Sequence, residues 1–435
     1  MKLIMTHGKR LFQSIFITGL VLITSGFFTS GSFAQDLTSS PYSRFGVGDL
    51  LLRNYGRGEA MGGLGVGISS DKYLNLVNPA GIGDLLAEQF LFEVGATDRL
   101  TRFSTTDLGK TSNNLNFSYL GLGFPITKWW KGSIGVLPYS GVGYSMFDTK
   151  IDPSIGEVRS QFDGEGGLSQ FSITQSFRPM KYLTLGVNFS YLFGPLSHIK
   201  SLAFPADSSY FSTTSISSAI VGDIRMNYGA QVNIPIKNDF FFTLGGTYEH
   251  QSNIKAESRQ LVYATGQGLI DTLYYHEDVD NSIVLPMGYG GGFSFGKKNK
   301  FTVGADYKVQ NWKDASFLGQ ADSMANSQVV IVGMEYIPDA FSPMSYAKRI
   351  QYRAGIKLGK TQLQLNNTQL QEIGINFGVG LPIRAQRLGR ASSLNISAEI
   401  GKRGTINNNL ISEFYGLISI QLTLRDRWFF KIKYD

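Results

Sequence analysis

The sequence predicts an all-β protein, an antiparallel transmembrane β-barrel of about fourteen strands with an N-terminal hatch, or plug, inside its lumen. Segment after segment alternates apolar with small polar residues, which is the two-residue period of a strand. Charged residues make up only 17% of the chain, whereas it contains 31 Phe and 21 Tyr. A soluble enzyme of this length carries more charge, near about 25%. A secretory signal at the N-terminus completes the pattern of an outer-membrane barrel.

The composition of the polar face separates a membrane barrel from a soluble sandwich. In 373–381, apolar residues such as Ile375 and Phe377 alternate with Gly and Asn, and 184–193 and 301–309 follow the same pattern. A sandwich facing bulk water usually carries more Lys and Glu on that face. Small polar residues instead fit a partly filled lumen. Because every backbone group in lipid must be paired, the predicted sheet has to close.

The alternating segments also give the number of strands. Their predicted cores are 89–99, 115–124, 131–147, 167–178, 182–193, 218–236, 239–252, 282–296, 300–311, 327–337, 349–358, 371–381, 393–402 and 411–424. Short connections such as Pro179–Lys181 alternate with long ones such as Gly194–Ser217 and Asn253–Asn281. This asymmetry predicts periplasmic turns on one rim and external loops on the other. Aromatic residues near strand ends, Trp312 among them, are expected in an interfacial belt.

Residues 1–34 are predicted to be a secretory signal peptide. Lys2, Lys9 and Arg10 precede an apolar run that ends at Ser32-Phe33-Ala34, so cleavage is expected between Ala34 and Gln35. A retained anchor is the weaker reading because the run is short. Removing the signal lowers the net charge from +7 to +4 (7 − 3), which makes no case for nucleic acid. The predicted location is the outer membrane.

Residues 35–88 are predicted to form the hatch, and residues 89–435 the barrel. The stretch Glu59–Asp84 is rich in glycine, which suits neither a regular helix nor a strand and lets the backbone pass close to another surface. Asn78-Pro79-Ala80-Gly81 predicts a turn or a helix start. An ordinary N-terminal loop packed on a globular domain is the alternative.

This segment and the strands after it resemble the FadL family, outer-membrane transporters of long-chain fatty acids and other hydrophobic compounds. The resemblance rests on Ala60-Met61-Gly62-Gly63, Val66-Gly67, Asp71 and Asn78-Pro79-Ala80-Gly81. It continues weakly but in order to about residue 425, with Gly132–Gly141 similar to the family's second hairpin. Ser40–Gly46 and the C-terminal WFFKIKYD are not features of the best-known fatty-acid transporters. The chain is therefore identified as a member of a divergent branch.

The resemblance implies a monomeric barrel that passes a hydrophobic small molecule through the hatch. The implied hatch motif is Gly62, Gly63, Gly67, Asp71, Asn78, Pro79, Ala80 and Gly81. The alternative is a non-transporting barrel that serves as an accessory or plug subunit of an outer-membrane secretion or assembly complex. A water-filled porin is a third reading, which the hatch disfavours.

The third predicted strand has a feature that suggests a side exit. Gly135, Pro138 and Gly141 lie in it, and Pro cannot donate to the ladder while Gly adds no packing. We expect a kink there and propose that a ligand leaves laterally near Pro138. A bulge that only helps to curve the barrel is the alternative.

No motif in the sequence supports catalysis, a metal site or a cofactor. The four His show no metal-ligand spacing, and the chain has no Cys. Gly109-Lys110-Thr111 and Gly359-Lys360-Thr361 lack the first glycine of a phosphate loop, and the glycines of 63–67 lack a βαβ context. Phe162–Gly167 offers too few ligands for a dedicated Ca²⁺ loop.

Overall fold

The computed structural model describes residues 37–51, 54, 56–205, 210–266, 268–318, 324–383 and 392–427. The predicted signal peptide and the tail 428–435 lie outside the described residues. Fourteen long antiparallel strands form a closed barrel, which confirms the predicted fold class and strand number. They are β2 (Gln89–Ser104), β3 (Gly109–Pro125), β4 (Trp130–Asp152), β5 (Gly156–Phe177), β6 (Leu183–Ala203), β7 (Ser212–Pro235), β8 (Phe240–Glu249), β11 (Gly288–Lys297), β12 (Phe301–Gln310), β14 (Ser327–Tyr336), β15 (Gln351–Leu365), β16 (Thr368–Ile383), β17 (Ser392–Arg403) and β18 (Ser412–Arg427).

Four further strands complete the sheet. They are β1 (Asp49–Leu50), β9 (Ser252–Gly266), β10 (Leu269–Leu285) and β13 (Ser316–Phe317). The barrel closes where β18 pairs with β2, from Ser412 opposite Ser104 to Arg427 opposite Gln89. Strand β8 pairs directly with β11, so the β9–β10 hairpin stands outside the closed ring.

The alternation of the sequence sets which side chains face the lumen. In β6, Thr184, Asn188 and Ser190 are each at most 4% exposed, whereas Leu185 and Phe189 are 43% and 38% exposed. The small polar residues therefore face inward and the apolar ones face outward, as the alternation predicts for a barrel in lipid.

The long connections predicted from the sequence are mostly strands. Strand β6 continues to Ala203 and β7 starts at Ser212, so the predicted loop Gly194–Ser217 is largely a hairpin. The predicted loop Asn253–Asn281 is the hairpin β9–β10, with β9 paired to the far half of β7. These long hairpins share one rim of the barrel, called here the long-hairpin rim.

Helices are few and short in the described part of the chain. Two are α-helical, Gly56–Glu59 and Tyr346–Arg349, and five are 3₁₀ helices, Pro41–Arg44, Pro79–Asp84, Lys237–Asp239, Trp312–Asp314 and Asn407–Asn409. Within the described residues, no helix has the length and apolarity needed to cross a membrane. The expected belt position of Trp312 is wrong, because its side chain is only 2% exposed and its indole Nε1 donates to Gln310 Oε1.

Candidate functional site

The candidate functional site is the set of contacts between the N-terminal segment, described here over residues 37–88, and the lumen-facing side of the wall. Most side chains of Ala60–Ile68 and Asn78–Gly83 are buried. Among the described residues, no group of three His, Asp or Glu is placed to hold a metal ion.

The predicted glycine stretch binds a carboxylate of the wall. The backbone N–H groups of Gly65 and Val66 donate to Asp306 Oδ2 at 2.7 Å each, and that of Gly67 donates to Asp306 Oδ1 at 3.2 Å. Asp306 is a lumen-facing residue of β12 and is 2% exposed. Successive N–H groups that converge in this way form a concavity that binds an anion. This concavity, called here the nest, is formed by the backbone N–H groups of Gly65–Gly67 and joins the N-terminal segment to β12.

The predicted Asn-Pro-Ala-Gly turn starts a 3₁₀ helix and joins three parts of the molecule. Asn78 caps the helix by accepting from the N–H of Ala80 at 3.0 Å. Its Nδ2 donates to the carbonyl of Val66 at 2.8 Å and to those of Ala230 and Gly246 at 3.3 Å each. Pro79 and Gly81 follow inside this buried helix. The turn therefore connects the nest to β7 and β8.

The remaining predicted hatch residues have simpler positions. Gly62 and Gly63 have φ of +78° and +95°, a left-handed conformation that L side chains rarely adopt. They follow the helix Gly56–Glu59, and the N–H of Gly63 bonds to the carbonyl of Gly58 at 2.8 Å. Asp71 is partly buried, and its backbone carbonyl accepts from Gln89 Nε2 at 3.0 Å.

Glycines on the inner wall let the backbone of the segment lie directly against the strands. A Cβ added to Gly245 in β8 would lie 1.9 Å from the carbonyl oxygen of Val66, and one added to Gly186 in β6 would lie 2.3 Å from the nitrogen of Ala80. Real Cβ atoms do not approach backbone so closely. A Cβ added to Gly333 in β14 or to Gly355 in β15 would likewise lie too close to backbone atoms of Met61. The wall is thus shaped to this segment on several strands.

Buried ion pairs add charge complementarity to this fit. Arg57 Nη2 lies 3.0 Å from Glu335 Oε1, and Arg353 Nε lies 2.8 Å from Glu335 Oε2. Arg353 Nη2 also donates to the hydroxyl of Tyr73 at 3.1 Å. Glu335 in β14 therefore bridges an arginine of the segment and an arginine of the wall.

A second buried network lies near the start of the segment. Arg403 of β17 pairs with Asp49 of β1, with Nη2 3.1 Å from Oδ2, and with Glu413 of β18 at 2.7 Å. The same guanidinium donates to Ser40 Oγ at 2.8 Å. The Tyr42 hydroxyl donates to the carbonyl of Ile411 at 2.6 Å. Ser40–Gly46, the stretch that departs from the best-known fatty-acid transporters, is thus bonded to β17 and β18.

The nest predicts a first mutational result. Asp306→Asn should weaken the docking of the segment by about 2 kcal/mol, because hydrogen bonds to a charged group are lost, and should shift an opening equilibrium about 30-fold. The protein has no Cys, so a single cysteine replacing Ile68, buried beside Met61 and Leu64, reports opening through its rate of thiol labelling. Asp107→Asn in an exposed turn is the control, and equal rates in both variants would contradict the prediction.

Asp49 predicts a dependence on pH. Burial alone would raise the pKa of Asp49, but the Arg403 guanidinium outweighs it and holds that pKa below the usual 3.8. A depressed folded pKa means that the stabilising contribution is complete above the unfolded value and is lost as the pH falls through the folded one. We expect the labelling rate of a Ser43→Cys reporter by a pyridyl disulfide, divided by the rate of a free thiol at the same pH, to rise only below about pH 4. Asp49→Asn should remove that acid-dependent step, and an unchanged step would contradict the assignment.

The predicted kink residues lie where the wall changes its pairing. Strands β3 and β4 pair only from Pro125 opposite Lys131 to Leu120 opposite Val136. Gly135 lies inside this regular ladder. Beyond it β4 has a bulge between Pro138 and Ser140, so the ladder is irregular at the predicted kink.

Part of the N-terminal segment lies beside β4 beyond that bulge. Asp49 pairs with Gly141 and Leu50 with Ser140, and the N–H of Leu51 donates to the carbonyl of Tyr139 at 2.9 Å. A Cβ on Gly141 would lie 2.7 Å from the Cβ of Leu37. From β3, Asn116 Nδ2 donates to the carbonyl of Leu37 at 2.9 Å. Residues 37–51 thus occupy the place where β3 and β4 do not pair.

A cavity of about 330 Å³ lies beside the segment. Charged side chains line much of it, and they come from several strands as well as from β1. They include Asp49, Arg225, Glu249, Lys357, Glu372 and Arg403. Several are paired across the cavity wall, with Arg225 to Glu249 at 2.7 Å and Lys357 to Glu372 at 2.9 Å. The lining also includes apolar side chains such as Leu137 and Ile331, so it is more polar than the mostly apolar lining expected of a site for a hydrophobic ligand.

Reasoning from sequence missed the partners of the hatch motif on the wall. No motif in the sequence singles out Asp306, Glu335, Arg353 or Arg403. An available signal was charge on the inward face of predicted strands, where a buried charge needs a partner. A second was inward-facing glycine, such as Gly186 in 184–193, which marks close approach of another backbone.

The chain matches one protein-family model and shares its fold with several solved structures. A protein-family model described as BamG matches residues 16–435, and no curated protein matches the sequence. The structure is similar to CymD, a monoaromatic hydrocarbon channel, with a TM-score of 0.58 and 12% identity over 87% of this chain and 99% of that one. The P. putida toluene transporter TodX gives 0.56 and 14% over 87% and 100%. A Pseudomonas aeruginosa FadL homologue gives 0.57 and 12% over 86% and 99%. At these identities the likeness shows a shared fold.

Proposed function

The chain belongs to the BamG family, and from the contacts that fill its lumen we propose that it is an outer-membrane barrel acting as a structural subunit of a larger outer-membrane complex. In this proposal residues 37–88 are a fixed plug. The observation that carries it is the direct seating of the plug backbone on wall glycines, as at Gly245 and Gly186, together with the buried pairing of Arg57 and Asp49 to the wall.

The character of the remaining space supports a structural role over uptake. A ligand site for a hydrophobic compound is expected to be mostly apolar, with few polar groups. The described cavity beside the plug has about as much polar as apolar lining and carries several charged side chains, among them Arg225, Lys357 and Arg403. Moving an apolar ligand along such a lining would strip water from charges without replacing it. A barrel of this kind serves better as a closed, rigid body to which other proteins bind.

Native mass spectrometry of the protein extracted from its own outer membrane in mild detergent tests this function. The expected result is a complex of fixed stoichiometry containing a larger subunit, at the same ratio in independent preparations. A general porin from the same membrane, extracted in parallel, controls for chance association. A lone barrel carrying a lipid-like ligand would contradict the structural role.

Passive uptake of hydrophobic compounds is the second candidate. It is favoured by the shared fold with channels whose names describe hydrocarbon transport and by the absence of β3–β4 pairing beyond Leu120 and Val136 within the described residues. In this candidate residues 35–88 are a mobile hatch, and a ligand leaves sideways at the bulge by Pro138.

Replacing Pro138, Gly135 and Gly141 by Val should block uptake if a side exit is used. Uptake of a labelled monoaromatic hydrocarbon into liposomes carrying the barrel is the measurement. Pro138→Val alone tests the exit while leaving the contact between Gly141 and Leu37 unchanged. Unchanged uptake in both variants would rule out the side exit, and no uptake by the unmodified protein would rule out this candidate.

A further inference from the structure

Strand β10 leaves one edge of a sheet open beyond the barrel. One side of β10 pairs with β9 along nearly the whole length of the strand. On the other side, the pairing found among the described residues is limited to Ile283 and Val284, which face β13. Within the described part of the chain, Leu269–Ser282 has no strand partner on that side and is mostly exposed, and such an edge is a template for another strand.

Between two bulges, this edge lacks the Lys and Pro residues that commonly protect an exposed strand. Exposed edges are normally protected by Lys or Pro, and β10 contains neither. Apolar side chains along it are instead well exposed, with Ile270 at 75%, Leu273 at 57% and Tyr275 at 59%. Bulges interrupt its pairing with β9 between Thr272 and Tyr274 and between Asp278 and Asn281. The regular run between them, Tyr274–Asp278, is about the length of an ordinary strand.

The charge of the edge indicates what would bind there. Strand β10 carries Asp271, Glu277, Asp278 and Asp280 and no Lys or Arg, although the whole chain has a net charge of +7. Arg259 of β9 pairs with Glu277 at 2.9 Å. A second copy of the chain would bring the same acidic strand against this one. A strand with Lys or Arg would instead place opposite charges across the new ladder.

We propose that the open edge of β10 binds a basic, extended segment of a partner protein by strand addition. Backbone hydrogen bonds along Tyr274–Asp278 supply the binding, and the acidic side chains select for a cationic segment. The proposal rests on the proposed function, since it names the surface through which the structural barrel contacts its complex. The neighbouring strands β6, β7 and β9 hold this edge away from the closed ring.

Peptide binding to the full-length barrel in detergent tests the edge directly. The probe is a nine-residue peptide of alternating Lys and Val, compared with a Glu/Val peptide and with a Lys/Val peptide whose backbone nitrogens are methylated on alternate residues. The Lys/Val peptide should bind at least about tenfold more tightly than either. Equal binding of the methylated peptide would overturn strand addition, and equal binding of the Glu/Val peptide would overturn the charge selection.

Charge reversal locates the site. Asp271→Lys, Asp278→Lys and Asp280→Lys together should weaken Lys/Val binding at least about tenfold while leaving the pair of Arg259 and Glu277 in place. The matched control reverses three exposed acids elsewhere on the same rim, Asp107, Asp148 and Glu157. Equal loss in both triple variants would overturn the assignment to β10.

A shortened hairpin separates this inference from the proposed function. Residues Arg259–Glu277 are replaced by Asn-Gly, and the variant is compared with the unmodified protein by native mass spectrometry from its own membrane. Loss of the complex from the variant alone supports the edge. A complex that persists overturns this inference and leaves the proposed function standing. A complex missing from both overturns the proposed function, and the peptide assay still decides whether the edge accepts a strand.

Discussion

Glu335→Gln should release the N-terminal segment from the wall while the barrel stays closed. The carboxylate of Glu335 lies between Arg57 of the segment and Arg353 of β15, and its removal leaves two buried guanidinium groups without their shared anion. Breaking a buried pair in this way costs about 3–5 kcal/mol. Opening of the segment should therefore increase more than about 100-fold.

The labelling rate of the Ile68→Cys reporter measures that opening. The matched control is Glu249→Gln, which removes the partner of Arg225 at 2.7 Å. That ion pair links β7 to β8 and does not involve the segment. Both variants should lower the temperature at which the barrel unfolds in detergent, and only Glu335→Gln should expose the reporter. Equal exposure in the two variants would mean that the segment is held by the barrel's general stability and not by this pair.

The predicted strands are found in the structure because each one is indicated by the alternation of apolar and polar residues within its own segment. The alternation of 184–193 or 373–381 is set by lipid on one side and lumen on the other, so each strand can be read without its neighbours. The β9–β10 hairpin was missed for the complementary reason. Strand β10 is exposed on both faces over most of its length, so no burial pattern separates that part from a loop.

The sequence predicts the N-terminal segment of the candidate site but not the wall residues that this segment contacts. The conformations of Gly62 and Gly63 and the capping of Ala80 by Asn78 are local, and glycine, asparagine and proline indicate them in the sequence. The pairing of Asp306 with the backbone of Gly65–Gly67 spans about 240 residues of chain. Nothing in the residues around either partner specifies the other, because the match depends on how the barrel closes.

A Gly245→Val substitution should displace the same segment by steric exclusion alone. The Cβ of a side chain at this position would fall 1.9 Å from the Val66 carbonyl oxygen, and the nearby atoms are backbone that cannot rotate away. Overpacking of a well-filled site costs about 1–3 kcal/mol even where side chains can adjust, so we expect a shift of the nest away from Asp306. The Ile68→Cys reporter should then label at a rate close to that of Glu335→Gln.

The adjacent residue provides the control for this substitution. An added Cβ on Gly246 meets its nearest neighbour, the carbonyl oxygen of Gly290, at 3.9 Å. Gly246→Val therefore adds a side chain away from the segment and keeps the backbone carbonyl that accepts from Asn78 Nδ2. A fixed plug predicts opening in Gly245→Val and none in Gly246→Val. A hatch that already exchanges between docked and released states predicts fast labelling of the unmodified reporter protein and little change in either variant. The comparison therefore decides between a structural barrel and a gated one without knowing any ligand.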